Sequence, residues 1–245
     1  MLKIGVAGKG GTGKTTISGL IIKFLLKNNK KPILAIDADP NSNLADTLGI
    51  TQPKSLVEII TEIEKIKDNL PYGIEKPKYI EMRIQEAIKE EVGFDLLVMG
   101  RTEGPGCYCY ANNLLREWME KIEKNYKFIV MDNEAGMEHV SRRTSGNLDI
   151  LFLVSLYDRI SIRTAENIYK MINSLELNIK EVYLVLNEFG GKKINSEIKT
   201  FLPIAFKIPF DQEIYKLSEE NKGILNLSDN SPAFKEVEKF FNNMI

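Results

Sequence analysis

Apolar residues recur along the chain in two alternating rhythms. Short, near-continuous runs of Val, Ile, Leu and Phe occupy Leu2–Ala7, Pro32–Asp37, Phe94–Met99, Phe128–Asp132, Leu148–Val154, Val182–Leu186 and Ile204–Ile208. Such runs are the pattern of parallel strands covered on both faces. Between them apolar residues stand three and four apart: Thr15–Lys27 carries Ile17, Leu20, Ile21, Phe24 and Leu25 on one face, and Ala165, Ile168, Ile172 and Leu175 repeat the spacing. The alternation predicts an α/β fold, a mostly parallel β-sheet flanked by helices on both faces. Glu64–Tyr79, rich in lysine, proline and glycine, reads as an exposed insertion with little regular structure. The final stretch sets Phe234, Val237, Phe241 and Met244 on one stripe with lysines and glutamates mixed opposite. That mixture predicts a helix packed on the sheet rather than one lying on a membrane.

Composition narrows the picture without changing it. The 245 residues, 43% hydrophobic and 27% charged, suffice for a large core, and one domain spanning residues 1–245 is expected. Lysine plus arginine number 33 against 34 acids, so no nucleic-acid partner is expected. The start, "MLKIGVAGKG", has no signal-peptide pattern and no apolar run approaches a membrane span, which predicts a cytoplasmic protein with no membrane partner.

Directly after the first strand, "GKGGTGKTT" satisfies G-x-x-x-x-G-K-[ST] through Gly8, Gly13, Lys14 and Thr15, and an amphipathic helix follows. This is the context a phosphate-binding loop requires. The amides of Gly10, Gly11, Thr12, Gly13, Lys14, Thr15 and Thr16 would face the phosphates of ATP or ADP, aided by the helix N-terminus. Lys14 would reach the β- and γ-phosphates, and Thr15 would ligate Mg²⁺. Asp132, closing an apolar strand in "KFIVMDNEAG", would hold the same ion through water, with Gly136 as a hinge behind it. Asp37 and Asp39 end the second strand two residues apart, on one side of extended backbone, and Pro40 stops it there.

Lys9, directly after the first glycine, makes the loop similar to those of the deviant Walker A ATPases, the group that includes MinD, ParA and the nitrogenase iron protein. The resemblance implies that Lys9 crosses a homodimer interface to the partner's phosphates. It also implies that Asp39 positions the attacking water, leaving Asp37 as a structural or Mg²⁺-shell residue. Asn187, Pro209 and Asp211 match the adenine-contacting positions of that group. An amide matches the adenine edge, although an asparagine here is equally at home as a cap or turn former.

The only two cysteines, Cys107 and Cys109, lie in "GPGCYCYAN" after the Phe94–Met99 strand, on the edge where ligand-binding loops gather. In a reducing compartment such a pair binds metal or performs redox chemistry. Two thiolates cannot complete a four-coordinate site, and the chain has a single histidine, His139. Four sulfurs on a two-fold axis would suit zinc, an iron–sulfur cluster or, if square-planar, Ni(II). "GPGCYCYAN" with "DNEAGMEHVSRR" closely resembles the CooC group, accessory ATPases that mature the nickel site of carbon monoxide dehydrogenase and, in relatives, of acetyl-CoA synthase. That resemblance implies a nucleotide-dependent homodimer, Ni²⁺ or Zn²⁺ at the cysteines, and an apo carbon monoxide dehydrogenase or acetyl-CoA synthase as partner. An iron–sulfur cluster carrier and a MinD/ParA-like positioning ATPase are the alternatives. His139 fits either metal binding or a structural place in the switch helix, and Arg142 and Arg143 fit either surface ion pairs or a client contact.

Overall fold

The computed structural model describes residues 1–65, 75–100, 117–134, 147–174, 177–187 and 199–245. Among them eight strands form one sheet in the order β3-β4-β2-β5-β1-β6-β7-β8. The strands are β1 (Leu2–Gly8), β2 (Ile33–Ala38), β3 (Ile88–Glu91), β4 (Phe94–Val98), β5 (Phe128–Asn133), β6 (Asn147–Leu156), β7 (Asn178–Asn187) and β8 (Ile204–Ile208). All neighbours are parallel except β3 and β4. The expected mostly parallel sheet is therefore present.

Helices cover both faces, because alternate strand residues feed two separate cores. Ile4, Val6, Ile33 and Ala35 pack with α1 (Lys14–Lys27), α2 (Leu44–Leu48) and the C-terminal helix Pro232–Asn242. Ala7, Leu34 and Ile36 pack on the opposite side with α3 (Leu56–Lys65), α4 (Lys76–Gln85), helical residues 117–123 and helix Arg159–Ser174. Phe234, Val237 and Phe241 are fully buried, and Phe241 stacks on Phe24 of α1 with ring centroids 5.2 Å apart. The C-terminal stripe thus belongs to the core.

Three expectations need correction. Glu64–Tyr79 is not without regular structure: Lys65 closes α3, Lys76–Tyr79 open α4, and residues 66–74 lie outside the described residues. Pro77 sits in the first turn of α4, where a missing N–H costs nothing, so the proline starts a helix rather than breaking one. Tyr79 packs against the core rather than standing in solvent. The short edge strand β3, with the polar sequence IKEE, has no counterpart among the predicted strands. β7 begins four residues earlier than its apolar run, because three of its first four residues, Asn178, Lys180 and Glu181, are polar and solvent-facing.

Candidate functional site

Parallel strands bring their C-terminal ends to one edge. Gly8, Asp37, Asp132, Val154, Asn187 and Ile208 therefore share it, and in the register Asp37 pairs with Asp132, which pairs with Val6. At that edge the first strand turns into the phosphate loop. Gly8 (φ +148°), Gly11 (φ +77°) and Gly13 (φ +93°) adopt backbone that L side chains rarely take. A Cβ on Gly8 would also stand 2.3 Å from the Val154 carbonyl oxygen. Thr12 folds the loop on itself, its Oγ1 donating to the Lys9 carbonyl at 2.8 Å. No side chain caps α1 and its first turn holds no acid, so its leading amides stay available to an anion.

A cleft of about 370 Å³ opens above this loop. Gly10, Gly11, Gly13, Lys14, Thr15, Thr16 and Asp39 line it from the loop side, and Asn187, Pro209 and Asp211 from the β7–β8 side. Most of the predicted nucleotide residues thus meet in one place. Gly8, Lys9 and Thr12 shape the loop without lining the cleft, and Lys9 is exposed. A larger cavity of about 620 Å³ adjoins at Thr16, Asn43 and Ile214. It gathers none of the switch acids, so the chemistry belongs to the smaller cleft.

Lys14 is buried, and its ammonium stands 3.9 Å from the Asp39 carboxylate, beyond hydrogen-bond reach. Asp39 is held by an Asx turn, its Oδ1 accepting from the Asn41 amide at 2.9 Å. Asp37 and Asp132 are both fully buried. Burial pushes Asp37 up to about 7; the Leu44 amide opposes this and the Asp132 charge adds to it. Burial likewise pushes Asp132 up to about 6, against the nearby Thr15 and Ser18 hydroxyls and the Lys14 charge. The roles of the two acids separate at their oxygens. Asp37 accepts from the Leu44 and Asp39 amides at 2.8 and 3.1 Å, so each of its oxygens already has a backbone donor and one of them holds the first amide of α2. Asp132 Oδ1 accepts from Ser18 at 3.0 Å, while its buried Oδ2 has no hydrogen-bond partner among the described residues.

That orphaned carboxylate oxygen beside Thr15 fits a hydrated Mg²⁺, whose charge would offset the cost of burying the acids. Among the described residues no group of three or more His, Cys, Asp or Glu could hold a metal ion. The fit therefore rests on Thr15 with Asp132. Ser18 escaped the sequence reading, although its place four residues after Lys14 on an otherwise apolar face was the available signal. Asp211 does more than line the cleft: it caps helix Gln212–Glu219 through the Glu213 amide at 2.9 Å and accepts from Ser231 at 2.5 Å, tying that helix to the C-terminal one. Cys107, Cys109, Gly136, His139, Arg142 and Arg143 lie outside the described residues.

Comparison with known proteins agrees with this geometry. The chain is 39% identical over 248 residues to an uncharacterized ATP-binding protein of Methanocaldococcus jannaschii, covering 99% of this chain and 98% of that one. It is 29% identical over 253 residues to the carbon monoxide dehydrogenase accessory protein CooC of Rhodospirillum rubrum, covering 96% and 92%. In fold it resembles the MinC:MinD cell division protein complex of Aquifex aeolicus, with a TM-score of 0.71, 21% identity, and 99% and 95% of the chains covered. Residues 4–224 match the CobQ/CobB/MinD/ParA nucleotide binding domain, so the chain belongs to that family and is an ATPase of it.

Proposed function

We propose that the protein is an ATP-driven metallochaperone. ATP draws two copies together, Cys107 and Cys109 of each copy bind Ni(II) as cargo, and hydrolysis loosens the pair so that the ion passes to a carbon monoxide dehydrogenase- or acetyl-CoA synthase-type apoenzyme. One observation carries the reading: the segment holding the cysteines is rooted on the nucleotide edge. Its doorstep residue Gly100 packs on Ser55, and the Met99 amide donates to the Asp37 carbonyl at 2.8 Å, two residues from Asp39. A change in the switch acids therefore has a short mechanical path to the residues from which that segment starts. The likeness to CooC over nearly the whole chain supports the same reading.

Within the proposal the roles divide by charge. Lys14 binds the β- and γ-phosphates, and Lys9, which is exposed, reaches the partner copy's γ-phosphate. Thr15 and, through water, Asp132 would hold Mg²⁺, which would supply charge neutralisation at the phosphate oxygens. Asp39 orients the water that attacks the γ-phosphorus, so catalysis is positioning and electrostatics rather than covalent chemistry. The adenine lies toward Asn187, Pro209 and Asp211. A membrane-positioning role is disfavoured, because the C-terminal apolar stripe that could serve it is already spent in the core.

Replacing both cysteines by serine and titrating nickel tests the cargo claim; unchanged stoichiometry and affinity would refute it. Lys9→Ala should lose dimerisation with a non-hydrolysable ATP analogue in size-exclusion chromatography, and wild-type dimerisation would remove the role given to Lys9. Metal analysis of anaerobically isolated protein separates nickel or zinc from an iron–sulfur cluster.

A further inference from the structure

The phosphate loop is stabilised from a distance at one point. The Asn187 side-chain Nδ2 donates to the Thr12 carbonyl at 2.9 Å, a contact between residues 175 apart in sequence. Both partners are buried, at 5% and 1% exposure. The same nitrogen explains the glycine beside it, because a Cβ on Gly13 would stand 2.4 Å from Asn187 Nδ2. Asn187 is itself fixed: it closes β7 opposite Leu156 of β6, and its backbone carbonyl accepts from the Tyr157 amide at 3.2 Å. The loop is therefore pinned to a rigid part of the sheet at the residue preceding Gly13 and Lys14.

The contact also orients the amide. Flipping it would set Oδ1 against the Thr12 carbonyl, two acceptors with no proton between them. With the nitrogen committed to the loop, Oδ1 has one orientation available in the cleft that Asn187 lines. An acceptor there complements a ring amino group and opposes a ring carbonyl.

We propose that Asn187 is a positioning residue for the phosphate loop, and that the hydrogen bond bracing Thr12 also fixes the face Asn187 shows to the base. Loop geometry and preference for adenine, which carries an amino group at the position where guanine carries a carbonyl, then depend on a single side chain. The base half of this inference rests on the ATP-binding reading of the cleft; the loop half needs only a phosphate ligand.

A ligand with phosphates and no base separates the two halves. Magnesium tripolyphosphate, ATP and GTP are titrated calorimetrically into the wild type, Asn187→Ala and the isosteric Asn187→Asp. Losing the brace leaves a buried carbonyl unpaired, so tripolyphosphate should bind about tenfold more weakly to Asn187→Ala. It should bind more weakly still to Asn187→Asp, whose carboxylate faces the Thr12 oxygen, and the ATP-over-GTP preference should shrink in both variants. Tripolyphosphate affinity unchanged while ATP affinity falls would overturn the loop role, reducing Asn187 to a base contact. Weakened tripolyphosphate binding with an intact ATP-over-GTP ratio would overturn the shared role. A wild type that binds neither nucleotide would overturn the cleft assignment and this inference with it. Should both variants aggregate, the Asn187 side-chain amide resonance in ¹⁵N-labelled wild type decides: it should shift on adding tripolyphosphate, and a stationary resonance overturns the proposal.

Discussion

Lys3 and Lys14 stand toward opposite ends of β1, Lys3 at its start and Lys14 past the loop that follows it, and both are buried, at 5% and 7% exposure. At the N-terminal edge of the sheet the Lys3 ammonium is in direct hydrogen-bonded contact with the buried Glu123, and the Lys3 amide donates to Asp149 at 2.7 Å. At the C-terminal edge, among the described residues, the nearest carboxylate to the Lys14 ammonium within ion-pair range is Asp39, at 3.9 Å. The acids differ in the same way. Glu123 meets a buried cation inside the fold, whereas Asp132 meets a serine hydroxyl; among the described residues each acid also keeps one buried oxygen, Oε1 and Oδ2, without a hydrogen-bond partner. Burying a charge without a partner is costly, so a fold that leaves cation and anions short of contact at one edge is arranged for charges that arrive from outside. At one edge the buried charges meet each other; at the other they stand apart, on the side where the nucleotide cleft opens.

The largest expected consequence concerns Lys14. Lys14→Met should lower ATP hydrolysis by about a thousandfold, the loss of a preorganised cation at the transferring phosphate. Its effect on urea unfolding should stay within about 1 kcal/mol, because no tight ion pair is broken. Retained hydrolysis in a steady-state phosphate-release assay would end the contrast. Lys3→Met should do the reverse. It strands Glu123 as a buried carboxylate and should cost about 3 kcal/mol of stability, while hydrolysis per folded molecule stays at the wild-type rate. Adding Glu123→Leu should return most of that stability, since an apolar pair of similar volume replaces the ion pair at little cost. A double variant as unstable as Lys3→Met alone would show that Lys3 contributes by something other than its charge.

The same contrast explains what could be read along the chain. Chemistry that is local announced itself: the glycine spacing of Gly8 and Gly13, the Lys14–Thr15 pair, and Asp132 at the end of an apolar run all lie within a few residues of the feature that defines them. Elements with strong apolar rhythm, such as α1 and the central strands, were equally legible. Partnerships across the fold were not. Lys3 finds Glu123 120 residues away, Asn187 finds Thr12 175 residues away, and Asp211 finds Ser231 20 residues on. No periodicity carries such information. Pro77 misled because proline marks either a break or a first turn, and only the helix beyond decides which. Strand β3 was hidden because an edge strand needs few apolar residues.

The smallest expected effect probes the unfinished edge without any mutation. Asp37 and Asp132 are held up to about 7 and about 6 in the fold, above the ordinary carboxylate range of the unfolded chain. Between about pH 4 and pH 7 the folded protein therefore keeps protons that the unfolded chain has released. Stability should fall as pH rises through that window, read as a lower melting midpoint at pH 7 than at pH 5 with EDTA present. Above the window both acids are ionised and buried together, the condition in which a divalent cation gains most. Millimolar Mg²⁺ should raise the midpoint measurably at pH 8 and much less at pH 5, where it must displace protons to bind. Lys3 and Glu123 supply the internal control, because their mutual contact gives Mg²⁺ nothing to neutralise: the Lys3→Met/Glu123→Leu variant should show the same pH-dependent Mg²⁺ increment as the wild type. An increment that is equal at both pH values would mean that the cation does not meet these carboxylates, and that the charge deficit at this edge is met by the phosphates alone.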